Sequence, residues 1–236
     1  MTIPRRRYQW RRPAELSDSY IKQQAAAVDK PGVGTSIANL QPPFVAPVSL
    51  SRILQARRDY VTEQLEGVCQ RNVKPRILSV ANGSLREAEP ILPLCSVKGG
   101  EFVAVDHSFT GSDEPVSCAI RRIEGGVFSL FRNEGLGRFH FIYALNVFTE
   151  LQTPAAQRLL KRLAGMLHRG GTLLLSNFTP VLSDWAHLVP WLPSQPIYRT
   201  EEEISRLTAC ISERDIMGHA VWRDDSGAVA YLEVQR

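Results

Sequence analysis

The sequence predicts an α/β fold: a mostly parallel sheet with helices on both faces, closed by an antiparallel hairpin at its C-terminal end. Three observations predict it. Short apolar runs at Ile77–Ala81, Glu101–Asp106, Phe139–Tyr143 and Thr172–Phe178 are bounded by Gly, Pro or Asp, as strands covered on both faces are. Segments of helical periodicity stand between several of them, and helices on both faces of a parallel sheet are the economical way to bury such runs. Residues 216–223 and 228–234 alternate around Asp224-Asp225-Ser226-Gly227 and read as a hairpin.

The elements follow in order. Ile53, Leu54, Val61, Leu65 and Val68 form an apolar stripe on a helix from Ser51 to about Cys69, with Arg57, Arg58 and Glu66 outside it. After the first strand, Ser84 precedes Glu87 by three residues, a capping-box spacing, and Leu85, Ala88 and Leu92 face the sheet. Gly111, Asp113 and Pro115 predict a loop after the second strand, then a third strand over 116–123 and a short helix over 127–132. Thr153-Pro154 opens a helix with its buried stripe on Leu159, Leu160 and Leu163; Gly170-Gly171 stops it before the fifth strand. Thr200 and Glu203 form a second capping box, on a helix running to about Cys210.

A chain of 236 residues, 44% of them hydrophobic, supports one sizeable core with an appendage. The boundary falls at residue 50. Residues 1–49, with Pro31, Gly32, Gly34, Pro42, Pro43 and Pro47, read as a partly irregular N-terminal arm, a substrate cover or a homodimer segment. Residues 50–236 form the folded domain, with a Pro- and Trp-rich insertion at 179–198. Lys+Arg is 28 against 24 Asp+Glu, and the excess is concentrated in Arg5, Arg6, Arg7, Arg11 and Arg12. No second basic patch continues it, so a solvated tail is expected rather than a nucleic-acid partner. Cys69, Cys95, Cys118 and Cys210 form no C-x-x-C pair, His and Cys never cluster at ligand spacing, and no stretch approaches 18 apolar residues. A reduced, cytoplasmic protein with no membrane span and no metal site is expected.

The most informative stretch is Ile77-Leu-Ser-Val-Ala-Asn-Gly-Ser84 together with Phe102-Val-Ala-Val-Asp106. Gly83, just past the first strand, can adopt a left-handed backbone and lets a ligand touch the chain. Asp106 ends the second strand, where a carboxylate can accept from both hydroxyls of a ribose. The turn is not G-x-G-x-x-G, and Glu87 follows closely, which disfavours a dinucleotide pyrophosphate. A nucleoside carrying a sulfonium and an amino acid fits better.

On these residues, with Leu136–Tyr143, Leu159–Phe178 and Pro196–Glu203, the chain resembles the class I S-adenosylmethionine-dependent methyltransferases. It is nearest to bacterial enzymes labelled as makers of hydroxy-fatty-acid methyl esters and to their natural-product relatives. The resemblance covers roughly residues 50–235. It implies a Rossmann-like methyltransferase sandwich that uses S-adenosylmethionine and methylates a small, largely apolar natural-product or acyl substrate. Ala81, Asn82 and Gly83 would line the methionine end of the cofactor. Asp106 would hold the ribose, His107 would lie near the adenine, and Asn146 would face cofactor or substrate.

Methyl transfer from a sulfonium is in-line displacement, so the protein aligns the acceptor and excludes water; no fixed triad is expected. His187 and Tyr198 are the candidates to deprotonate or orient the acceptor. Asn177, Trp185, Trp191 and Arg199 are the candidate substrate contacts, the two Trp lying in the insertion as a wall for an apolar group. Two other readings stay open. Asn82-Gly83-Ser84, where the relatives carry cysteine-glycine or a second glycine, motivates a repurposed cyclase or isomerase. The arm and the Trp-rich insertion motivate a catalytically silent partner subunit.

Overall fold

In a computed structural model of the chain, the described residues are 50–83, 85–107, 120–132, 134–182 and 196–236. All of them fall in one compact unit, Ala46–Arg236. Seven strands form a single sheet: β1 (Arg76–Val80), β2 (Glu101–Asp106), β3 (Ile120–Glu124), β4 (Phe139–Ala144), β5 (Leu167–Phe178), β6 (Gly218–Arg223) and β7 (Val229–Gln235). Their order is β3-β2-β1-β4-β5-β7-β6. The first five run parallel, and β7 pairs antiparallel with both β5 and β6. The chain lays β2 and β3 to one side of β1 and then returns to place β4 on the other. The C-terminal ends of β1 and β4 therefore flank a topological switch point, where such sheets bind ligands.

Alternate residues of each strand point to opposite faces. On one face Leu78, Val103, Ile142 and Leu173 pack with Leu159, Leu160 and Leu163 of α3 (Thr153–Gly165) and with Ile204 and Leu207 of α4 (Glu201–Leu207). On the other, Ile77, Phe102, Phe141 and Leu174 pack with Val61, Leu65 and Val68 of α1 (Leu50–Arg71) and with Leu92 of α2 (Leu92–Val97). Thr200 caps α4 through the expected box: its hydroxyl accepts from the Glu203 amide, and the Glu203 carboxylate accepts from the Thr200 amide at 2.8 Å.

Four local expectations are corrected. Arg57 lies inside the buried stripe of α1, not outside it. Gly170-Gly171 does not stop α3, which ends at Gly165. The glycines lie within β5, where the register jumps from Phe139 opposite Leu167 to Phe141 opposite Thr172, and Gly170 takes φ +78° to make that bulge. Glu87 is not a capping residue: residues 86–91 are turn, and its carboxyl is directed into the interior. Gln152 rather than Thr153 stands at the N-cap of α3. Among the described residues no helix is long and apolar enough to cross a membrane. No group of His, Cys, Asp and Glu there could hold a metal ion.

Candidate active site

The turn after β1 is tied to the end of β2. The Ala81 amide donates to Val105 O at 2.8 Å, and the Gly83 amide donates to Asp106 Oδ2 at 2.8 Å. Asp106 and Gly83 are thus direct neighbours, as the sequence led us to expect. A carboxylate offers about four acceptor positions, more than the bond to Gly83 occupies. The turn has an unusual backbone. Ala81 (φ +52°), Gly83 (φ +71°) and Leu85 (φ +51°) all adopt the left-handed region. Only glycine does so freely, and the two side-chain-bearing residues cost roughly 1–2 kcal/mol each. The chain therefore keeps a turn shaped for three alternating glycines while carrying one. Strain of that kind persists where surrounding bonds over-determine it, here the two ties to β2.

Asn82 faces the other way. Its Oδ1 accepts from the Leu145 amide at 2.8 Å and its Nδ2 donates to Ser79 Oγ at 2.8 Å, joining the turn to the end of β4. Its side chain thus fastens the turn, and its contribution toward a ligand comes from its backbone. Leu145 and Asn146 are held from three further directions. Ser176 Oγ donates to Leu145 O at 2.8 Å, Arg57 Nη1 donates to the same oxygen at 3.0 Å, and Arg57 Nη2 donates to Asn146 Oδ1 at 3.0 Å. The Arg57 guanidinium lies over the Phe178 ring, 5.2 Å from its centroid. Burial lowers the Arg57 pKa to about 10. Because Oδ1 of Asn146 faces the guanidinium, its Nδ2 is turned away as a donor with no acceptor among the described residues. Arg57, Ser176 and Asn82 together pre-set the orientation of Asn146.

Arg57 escaped the sequence reading because a charged residue is expected at the surface. Its spacing carried the signal: four residues after Ile53 and four before Val61, both buried, it shares their face of α1. Beneath the turn, Glu87 (4% exposed) accepts from the Tyr143 hydroxyl at 2.8 Å. Burial is the main influence on Glu87 and raises its carboxyl pKa. The folded chain then holds this proton more tightly than the unfolded chain, so stability falls as pH rises from the ordinary carboxylate range through the raised value. Replacing Glu87 by Gln keeps the hydrogen bond and removes the charge. Urea midpoints of Glu87→Gln should exceed those of the parent at about pH 7.5 and converge with them toward about pH 4. A constant gap across that range would contradict a titrating Glu87.

His107 follows Asp106 and lies against Gly126, just past β3. A Cβ at Gly126 would stand 2.7 Å from His107 Nε2. The glycine therefore makes room for the imidazole that follows Asp106. Gly126→Ala should move His107 with little change in melting temperature and weaken nucleoside binding by about tenfold, the size of one lost contact of about 1.4 kcal/mol. Equal titrations of the two proteins would show that His107 does not border the ligand.

Past the end of β5, Arg199 is 3% exposed and donates to Phe148 O, to Leu151 O and, at 3.0 Å, to Asn177 Oδ1. Asn177 Nδ2 donates to Ile197 O at 2.9 Å and Phe178 O at 2.8 Å. The two side chains thus fasten residues 197–199 to the end of β5. Among the described residues the buried hydroxyl of Tyr198, between these anchors, has no hydrogen-bond partner, nor has that of Thr149, whose carbonyl accepts from the Ile197 amide at 2.8 Å. Buried hydroxyls are rarely left unpaired, so these two are the unsatisfied polar groups of this region. Burial raises the Tyr198 phenol, which keeps its proton at neutral pH. His187, Trp185 and Trp191 lie outside the described residues.

No model of a known family matches the sequence, and no curated protein matches it. Solved structures do. An O-methyltransferase family protein from Burkholderia thailandensis superposes with a TM-score of 0.57 at 17% identity over 78% of this chain, which spans 56% of that longer one. Magnesium protoporphyrin IX methyltransferase from Synechocystis, solved with bound S-adenosylhomocysteine, gives 0.53 at 15% identity, covering 93% and 95% of the two chains. The N-methyltransferase NodS from Bradyrhizobium japonicum gives 0.50 at 12% identity over 79% and 98%. The fold is that of the class I methyltransferases. In this methyltransferase fold the Gly83–Asp106 junction lies beside the switch point, at the C-terminal ends of β1 and β2.

Proposed function

We propose that the chain binds S-adenosylmethionine at the junction of β1, β2 and β4 and transfers its methyl group to a small, largely apolar acceptor. The bond from the Gly83 amide to Asp106 carries this reading, because it brings one backbone turn and one carboxylate within reach of the same ribose. The residues present fit the cofactor. Asp106 would accept from the ribose hydroxyls, the backbone of 81–83 would border the methionine portion, and His107 beside Gly126 would flank the adenine. The outward Nδ2 of Asn146 would donate to the cofactor carboxylate or to the acceptor. The bound cofactor supplies an electrophilic methyl on a sulfonium.

What the chain adds is alignment. Arg57, Ser176 and Asn82 fix the end of β4 before any ligand arrives, so little reorganisation accompanies binding. Tyr198 and Thr149 offer hydroxyls to orient a polar atom of the acceptor. Tyr198 acts there as a hydrogen-bond donor, because a phenol keeps its proton at neutral pH and burial raises its pKa further. Asn177 and Arg199 support that wall from behind, and Trp185, Trp191 and His187 of the insertion are assigned to the acceptor side.

Incubation with S-adenosylmethionine and a panel of hydroxylated or carboxylated apolar acceptors tests the reading through release of S-adenosylhomocysteine. Turnover with at least one acceptor is expected, reduced in Tyr198→Phe. A second reading has its own support: the strained non-glycine residues Ala81 and Leu85 show a turn altered from the glycine-rich form. Cofactor binding without transfer to any acceptor would favour a repurposed fold.

A further inference from the structure

The opposite edge of the sheet carries a cleft of about 460 Å³ lined by Arg138, His168, Arg169 and Arg236. Arg138 precedes β4, His168 and Arg169 stand at the start of β5, and Arg236 follows β7. The cleft is thus one strand length, roughly 20 Å, from the junction at Asp106. The bulge in β5 creates it. Leu167 to Thr172 faces only Phe139 to Phe141 of β4, and the extra residues present His168 and Arg169.

Among the described residues no Asp or Glu side chain lines this cleft. Glu101, an acid on the neighbouring strand β2, is held by Arg76 at 2.7 Å. Arg138 Nη1 and Arg236 Nη1 both donate to Gly165 O and Leu167 O at the end of α3. Neutral carbonyls fix the two guanidinium groups in place without cancelling their charge, and one arginine would suffice to cap that helix end. The Nε and Nη2 groups of both arginines make no hydrogen bond to the described residues. Arg169 is exposed and makes none at all there. A chain-terminal carboxylate at Arg236 would still leave the arginines in excess. His168 stacks on His140, ring centroids 4.6 Å apart, and His140 Nδ1 accepts from the Arg76 amide. Desolvation and the nearby arginines lower the pKa of His168, so the imidazole stays neutral beside uncompensated cations.

The geometry points to a second binding site in this cleft, for a small phosphate-bearing anion. Three guanidinium groups, two of them pre-positioned, match a group with two or more negative charges and several equivalent oxygens. A monocarboxylate would leave most of that charge unanswered. The ligand is bound apart from the methyl-transfer chemistry, so the site does not depend on that assignment.

Calorimetric titration of the full chain with inorganic pyrophosphate at constant ionic strength tests this. Saturable binding near one equivalent is expected. Arg169→Gln, which breaks no internal bond, should weaken it about tenfold or more, and Arg138→Gln/Arg169→Gln should abolish it. Arg158→Gln, an exposed site on α3 away from the cleft, should bind like the parent. The proposal is overturned by absence of saturable heat with the parent, or by equal affinities of Arg169→Gln and Arg158→Gln. Binding of a duplex oligonucleotide but not pyrophosphate would overturn it in favour of a nucleic-acid surface.

Discussion

Asp106→Ala should lower the affinity for S-adenosylmethionine by about 100-fold or more. The carboxylate is assigned two ribose hydroxyls, and hydrogen bonds to a charged group contribute roughly 1.5–3 kcal/mol each, so about 3 kcal/mol is the lower bound of the loss. The same change frees the Gly83 amide, which Asp106 Oδ2 now holds at 2.8 Å. The turn carrying Ala81 and Leu85 at positive φ then loses one of its two ties to β2. Asp106→Asn retains an acceptor for Gly83 and should fall between the two. Asp106 is only half-buried, so the melting temperature should change little while the titration changes greatly. A variant that melts early and binds normally would make Asp106 a structural residue.

Arg57→Ala should cost about 3 kcal/mol of stability, a drop of roughly 6–12 °C in melting temperature for a domain of this size. The guanidinium is buried, serves Leu145 O and Asn146 Oδ1, and lies over the Phe178 ring. Removing it leaves Asn146 Oδ1 without its donor and opens a cavity; recovery of the desolvation already imposed on the charge offsets part of this. Arg57→Lys should restore much of the packing but cannot donate to two divergent acceptors as a planar fork does. Binding separates the positioning role from stability. If Arg57 acts on the cofactor through Asn146, then Arg57→Lys and Asn146→Ala should each weaken binding, and the double variant should be no weaker than Asn146→Ala alone. Additive losses would place Arg57 in the site on its own account.

The parts of this architecture set by local chemistry were legible in the sequence. The first strand to within a residue of its end, the strand end at Asp106, the box of Thr200 and Glu203 and the closing hairpin depend on residues near one another in the chain. What was not legible depends on distant partners. Arg57 reaches Asn146, 89 positions away, and no local pattern marks a buried guanidinium except its register with Ile53 and Val61. Glu87 had the spacing of a cap, yet the Tyr143 hydroxyl, 56 positions on, takes its carboxyl inward. Asn177 and Arg199, polar and close to a strand end, read as substrate contacts, whereas the carbonyls of Phe148, Leu151 and Ile197 engage them. Gly170-Gly171 after a helix reads as a stop, and only the pairing of β4 with β5 reveals a bulge. For Arg57, Glu87 and Gly170-Gly171 the deciding partner lies on another element, beyond the reach of a local pattern.

The most direct measurement is a calorimetric titration of the unaltered chain with S-adenosylmethionine. Saturable one-to-one binding in the micromolar range, abolished by excess S-adenosylhomocysteine, is the result expected of a turn and a carboxylate that embrace one ribose. No saturable heat at millimolar cofactor would contradict it, and would leave the class I fold without the ligand that its switch point is here assigned.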